Sequence, residues 1–106
     1  MTGNRGEVWY VEPDLPTIGS EIEKDRPCVI VQPPEMDRLR TTIVVPLTGH
    51  GFSAPFRVAT TFASSKFVLC DHIRSIDRTR LRRFAGSMKS AELAEVLRVL
   101  QTIFAA

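Results

Sequence analysis

The sequence predicts a mainly β domain with C-terminal helices, curled into a small barrel. Two observations predict it. Between Glu7 and Ile76 lie five or six short apolar or alternating segments, separated by proline, glycine and serine. Strands that short, crowded into about 70 residues, tend to close on themselves rather than leave edges open. From Ser90 onward the apolar residues fall at helical spacing instead.

The first strand is Glu7-Val8-Trp9-Tyr10-Val11-Glu12, rich in β-branched and aromatic residues and ended by Pro13. Residues 13–25 hold Pro13, Pro16, Gly19 and Ser20 without a sustained period, so they form a long loop. Long loops in compact domains tend to be functional or mobile, and this one is expected to act as an acidic flap. Residues 27–32 make a second strand covered on both faces, broken by Pro33-Pro34-Glu35. Residues 41–48 make a third. Pro46 cannot donate to a ladder, so that end is expected at an edge or a bulge. After the turn Gly49-His50-Gly51 come strands at 56–60 and 66–70 and a short one at 73–76. Asp77 is placed to cap a short helix from Arg78 to Gly86, with Leu81, Phe84 and Ala85 inward. Ser90 is placed to cap the last helix, with Glu92 in its first turn. Leu93, Val96, Leu97, Leu100, Ile103 and Phe104 would pack on the sheet.

The 106 residues make one domain, 1–106. Hydrophobic residues are 43% and charged residues 25%, ordinary for a water-soluble fold. No apolar run is long enough to span a bilayer, and Met1–Gly6 has no apolar stretch typical of a secretory signal. A cytoplasmic protein without a membrane partner is expected. Cys28 and Cys70 sit in or beside apolar runs and read as buried thiols. Neither has CxxC spacing, and His50 and His72 complete no metal pattern, so no cofactor is expected. The net charge of +2 hides an asymmetry. Up to Asp25 the acids Glu7, Glu12, Asp14, Glu21, Glu23 and Asp25 face only Arg5 and Lys24; later, Arg74, Arg78, Arg80, Arg82 and Arg83 crowd together. A basic half favours a polyanionic partner, although a solvated helix face explains the charge run as well.

Arg26-Pro27 opens the most apolar run and Thr48 closes the next. If these two strands are antiparallel neighbours, guanidinium and hydroxyl share one rim. A fixed cation beside a hydroxyl suits a phosphate diester. A rim ion pair of Arg26 with Glu21, Glu23 or Asp25 is the structural alternative.

Arg5-Gly6-Glu7-Val8, Gly19-Ser20-Glu21, Arg26-Pro27-Cys28-Val29-Ile30-Val31, Val45-Pro46-Leu47-Thr48 and Asp71-His72-Ile73-Arg74-Ser75-Ile76-Asp77 with Arg80-Leu81 occur in this order. Together they resemble the MazF/PemK/Kid family of toxin endoribonucleases over nearly the whole chain. The resemblance implies an SH3-like barrel of the Kid/MazF/CcdB type and a homodimer. It implies metal-independent cleavage of single-stranded RNA at short sequences, by 2′-OH attack, causing growth arrest. It also implies a cognate antitoxin whose acidic tail occupies the RNA groove, and a toxin–antitoxin complex that binds DNA. The family's catalytic arginine falls on Arg26 and its threonine on Thr48. The loop beside the site falls on Gly19, Ser20 and Glu21, and the target-binding acid on Asp71. Two positions depart from the family. His72 stands where glutamine is usual, and Leu69 stands where Kid-like members carry arginine.

Arg26 suits a developing phosphorane charge, being permanently charged and forked, and Pro27 restricts it to an extended backbone. Arginine is a poor base near neutral pH. His50 and His72 titrate in the useful range, yet either can be a plain surface residue. Asp71 and His72 can read base edges or simply cap a strand end. Arg74 can reach RNA or pair with Asp71 or Asp77. Arg78, Arg80, Arg82 and Arg83 read as solvated, with an extended RNA track as the alternative. Trp9 and Tyr10 read as core or dimer packing, or else as stacking platforms. Two competing functions remain. A CcdB-like toxin would poison gyrase by contact, using a C-terminal Trp-Gly-Ile, whereas this chain ends Ile103-Phe104-Ala105-Ala106. An inert adaptor would need a more aromatic groove than one tryptophan and one tyrosine supply.

Overall fold

The computed structural model describes residues 3–13 and 25–106. Its strands are β1 (Glu7–Val11), β2 (Arg26–Ile30), β3 (Thr41–Thr48), β4 (Arg57–Ala59), β5 (Phe67–Leu69), β6 (Arg74–Asp77) and β7 (Leu81–Ser87), followed by one helix, α1 (Ser90–Ile103). The expected flap, with Gly19, Ser20 and Glu21, lies outside the described residues except at its ends.

β2 and β3 form the spine. Alternate residues on a strand point to opposite faces, and here each face meets its own core. Val29, Val31, Val45 and Leu47 join Val8, Val58, Val68, Cys70 and the α1 residues Val96, Val99 and Leu100. Cys28, Ile30 and Val44 join Val11 and Ile76 in a smaller core, with Trp9 and Leu81 at its margin. Two covered faces explain why both runs are apolar without alternation.

The sheet runs β4-β5-β3-β2-β1-β7, and β6 pairs with β3. A 3-10 turn at Arg78–Arg80 joins β6 directly to β7. The chain leaves the β3 side of the sheet and returns at its β1 edge. Chain continuity through this turn, rather than a hydrogen-bonded ladder, closes the small barrel.

That turn corrects the helix expected over Arg78–Gly86. Asp77 does cap it, accepting from Thr79 N–H at 2.9 Å and from the Thr79 hydroxyl at 2.8 Å. From Leu81, however, the chain pairs with β1, with register shifts between Val8 and Trp9 and between Tyr10 and Val11. Each shift inserts an extra residue into β7. The bulges set Leu81 and Phe84 three positions apart on paired sites, which imitates helical spacing.

Pro46 is a second correction, because β3 is central. Val31 N–H donates to Ile43 C=O at 3.0 Å, so 43 and 45 turn their N–H groups toward β2, while 44 and 46 face away. On that outer side the pairing with β6 ends at Val44 and the pairing with β5 begins at Leu47. The missing donor of Pro46 falls in the gap between partners.

Arg78 is a third correction. It is only 9% exposed. Its Nε donates to Leu39 C=O at 2.9 Å, its Nη1 to Gly3 C=O at 3.2 Å, and its Nη2 lies 3.6 Å from the Asp37 carboxylate. One guanidinium thus ties the closing turn to two distant segments. Arg78→Ala is expected to lower unfolding free energy by about 2–3 kcal/mol, since buried acceptors lose their donors. Urea denaturation of both proteins measures it. A midpoint unchanged within error would show that the guanidinium is not structural.

In α1, Ser90 is the first helical residue, and the preceding Lys89 makes no side-chain cap. The helix is anchored instead by Glu92, whose carboxylate accepts from the hydroxyls of Thr60 and Thr61, each at 2.7 Å, and from Thr61 N–H at 3.1 Å. Burial alone would raise this carboxyl; the threonine donors outweigh it and hold it below the ordinary range. The inward stripe ends at Leu100 and includes Val99, whereas Ile103 and Phe104 are left uncovered, Phe104 at 68% exposure.

Candidate functional site

The outermost rung of the β2–β3 ladder is Cys28 opposite Pro46. Two residues outward on each strand come Arg26 and Thr48, on the same face and at the same rim. The antiparallel pairing expected of these strands is therefore present. Arg26 is exposed at the first position of β2, and no carboxylate among the described residues lies within ion-pair distance of it.

Beneath this rim is a cavity of about 560 Å³. Val11, Cys28, Val44, Pro46, Leu47 and Leu69 give it an apolar floor, and Arg26, Arg74, Arg80, His72 and Glu12 contribute its polar wall. Thr48 stands outside that lining. Its Oγ1 accepts the His50 N–H at 3.2 Å, which leaves the hydroxyl proton to be donated.

The wall is held from behind. Glu12 N–H donates to Arg80 C=O at 2.9 Å, the Arg80 guanidinium donates back to Glu12 C=O, and the Glu12 carboxylate takes Arg82 at 2.7 Å. Asp71 and His72 occupy a 3-10 turn, Cys70–His72, seated on the buried Cys70. His72 Nε2 is 3.4 Å from the Asp71 carboxylate, an ion pair only when the imidazole is protonated, and the His72 side chain is 54% exposed. His50 is exposed in the bend after β3.

Both cysteines are free and buried. Burial pushes the Cys28 thiol up to about 12, partly offset by the Arg26 guanidinium. Burial, with Asp71 and Glu95 adding to it, pushes Cys70 to about 11. Cys28 is therefore floor rather than nucleophile at neutral pH. Among the described residues, no three His, Cys, Asp or Glu side chains cluster as metal ligands.

The structure thus brings Arg26, His72 and Arg74 to one cavity, with Thr48 at its rim and Asp71 beside His72. Glu12 was not singled out for this cavity by the sequence, Leu69 entered only as a departure from the family pattern, and Arg80 only through the RNA-track alternative. Alternation from Arg26 already places Cys28 on the same face. For Arg80 the charge run left only an RNA track as the alternative to solvation, because it reaches the cavity through the turn that replaces the expected helix. Trp9 packs edge-on against Phe84, ring centroids 5.6 Å apart, and the Arg83 guanidinium lies 4.2 Å from the Tyr10 ring centroid. Neither ring lines the cavity, and Arg83 is engaged on Tyr10 rather than simply solvated. A cationic wall over an apolar floor fits a phosphate next to a base.

Comparison with known proteins follows the same direction. A family profile described as "PemK-like, MazF-like toxin of type II toxin-antitoxin system" matches residues 4–104. Endoribonuclease MazF9 of Mycobacterium tuberculosis is 33% identical over 104 residues, covering 87% of each chain. Endoribonuclease PemK of Escherichia coli is 36% identical over 107 residues, covering 93% of this chain and 80% of that one. Among solved structures, MazF of Deinococcus radiodurans superposes with a TM-score of 0.81 at 24% identity, over 100% of this chain and 99% of that one. A mycobacterial endoribonuclease in complex with its cognate antitoxin gives 0.77 at 21% identity, over 95% and 93%.

Proposed function

The chain belongs to the PemK-like, MazF-like toxins of type II toxin–antitoxin systems, and we propose that it cuts single-stranded RNA without a metal, using Arg26 and Thr48 as catalytic residues. The family is one of named endoribonucleases, and the gyrase-poisoning alternative finds no support in it. In this reading the ribose 2′-OH attacks the adjacent phosphorus and the P–O5′ bond breaks. The products are a 2′,3′-cyclic phosphate and a 5′-hydroxyl. Arg26 presents its fork to the non-bridging oxygens as their charge grows, and Thr48 donates to the same phosphate. Gly19, Ser20, Glu21, Asp71, His72 and Arg74 bind the RNA, and Leu69 gives apolar floor where Kid-like relatives carry arginine. The protein works in the cytoplasm as a homodimer of single toxin domains, restrained by an acidic cognate antitoxin over the same cationic cavity.

The observation that carries this reading is the β2–β3 register, which sets Arg26 and Thr48 at one rim of an arginine-walled cavity. The test is incubation of purified protein with a long single-stranded RNA in EDTA, followed by mapping of the new ends. Discrete fragments with 5′-hydroxyl ends are expected. RNA that stays intact, or is cut only after magnesium is added, refutes it.

A further inference from the structure

We propose that Phe52 is a stacking platform for an unpaired RNA base flanking the cut, pre-set by Arg57. The inference rests on the RNA-cleaving reading above and adds a subsite to it. The connection from β3 to β4 leaves the site at Thr48, and Thr48 Oγ1 holds its first bend through the His50 N–H. Phe52 follows four residues later, so its α-carbon is at most about 14 Å from that of Thr48.

Phe52 is 65% exposed and belongs to neither core. It does not hang loose. The Arg57 guanidinium carbon lies 4.4 Å from its ring centroid, and Arg57 Nη1 donates to the Phe52 carbonyl at 3.5 Å. The exposed Phe56 ring flanks the same guanidinium at 5.9 Å. Gly51 makes the arrangement fit. Its φ is +106°, and a Cβ there would sit 2.6 Å from Arg57 Nη1. An exposed aromatic ring ordinarily costs entropy to immobilise on binding; here the cation behind it has already restricted it.

A ring with a cation at its back and so much of its surface open to solvent fits a flat π-system joined to an anion. A nucleotide is that combination: the base covers the ring and the phosphate is drawn toward the guanidinium. Continuity with Thr48 and the positive charge favour RNA over an apolar polypeptide. Stacking is indifferent to base identity, so the platform adds affinity more than sequence preference.

The test uses a defined RNA that the wild-type protein cuts once, together with its analogue carrying 2′-deoxyribose at the cut. Phe52→Ala should weaken binding to the analogue by about 5- to 150-fold, with the single-turnover rate at saturating RNA held within a few-fold. Phe52→Trp should bind at least as well as wild type, and Phe52→Leu should behave like alanine. Moving one abasic nucleotide along the RNA should weaken wild-type binding at one flanking position where Phe52→Ala is insensitive. Equal titration curves for wild type and Phe52→Ala would overturn the platform and leave a polypeptide as the ring's partner. Rescue by leucine would reduce Phe52 to apolar packing and overturn it too. If the wild-type protein neither binds nor cuts any RNA, the activity reading and the platform fall together; if it cuts normally, only the platform is in question.

Discussion

Arg26→Ala is expected to fold normally and to lose about 10²–10³ in cleavage rate, the cost of one fixed donor to a developing oxyanion. Two properties separate these effects. The side chain is exposed at the first residue of β2 and belongs to neither core, so its loss should change stability by no more than about 0.5 kcal/mol. Its place at the rim of an arginine-walled cavity, on the face that carries Thr48, puts it where phosphate charge would grow. Arg26→Lys should recover only part of the rate, because the charge returns without the planar fork. Single-turnover rates and a thermal melt on all three proteins decide it. A folded Arg26→Ala with wild-type turnover would remove Arg26 from the chemistry.

The part of the site that rests on strand pairing was legible in the sequence. Two apolar runs, one begun by Arg26-Pro27 and one ended by Thr48, leave little freedom once they lie antiparallel. A one-residue slip would turn each residue of the slipped strand into the opposite core, against the wrong partners. The register observed is the one that buries Val29 and Val45 on one face and Cys28 and Val44 on the other. The buried cysteines, the Asp77 cap and the final helix follow from equally local signals.

What was not legible depends on long-range partners. β7 looks helical because its bulges give Leu81 and Phe84 a spacing of three, and only the presence of β1 turns that spacing into a ladder. Pro46 looks like an edge residue because nothing local reveals that β3 changes partner beside it. Arg78, Arg80, Arg82 and Arg83 look alike in a charge run. The fold sends Arg78 inward to Gly3 and Leu39, Arg80 to the cavity, Arg82 to Glu12 and Arg83 onto Tyr10. The resemblance carries fold and family, but not these assignments, which come from the closure of the barrel.

Replacing the ribose at the cut site with deoxyribose is expected to abolish cleavage, while the same change elsewhere in the RNA should alter the rate only a few-fold. Among the described residues, no side chain at the cavity is poised as a nucleophile. Cys28 lies in the cavity floor, but its thiol, pushed up to about 12, is almost wholly protonated at neutral pH. Thr48 Oγ1 already accepts the His50 N–H, and no imidazole or carboxylate among the described residues hydrogen-bonds it as an activating base would. His72 lines the cavity with its Nε2 3.4 Å from the Asp71 carboxylate, and the Glu12 carboxylate is held by Arg82. The substrate's own 2′-hydroxyl is already adjacent to phosphorus, and its intramolecular attack would gain the advantage of proximity without help from a protein nucleophile. The measurement is gel analysis of matched oligonucleotides differing at that one sugar. Unimpaired cutting of the deoxy substrate, with a product bearing a 3′-phosphate or 3′-hydroxyl, would show that water or a protein side chain attacks instead, and Arg26 and Thr48 would then need different roles.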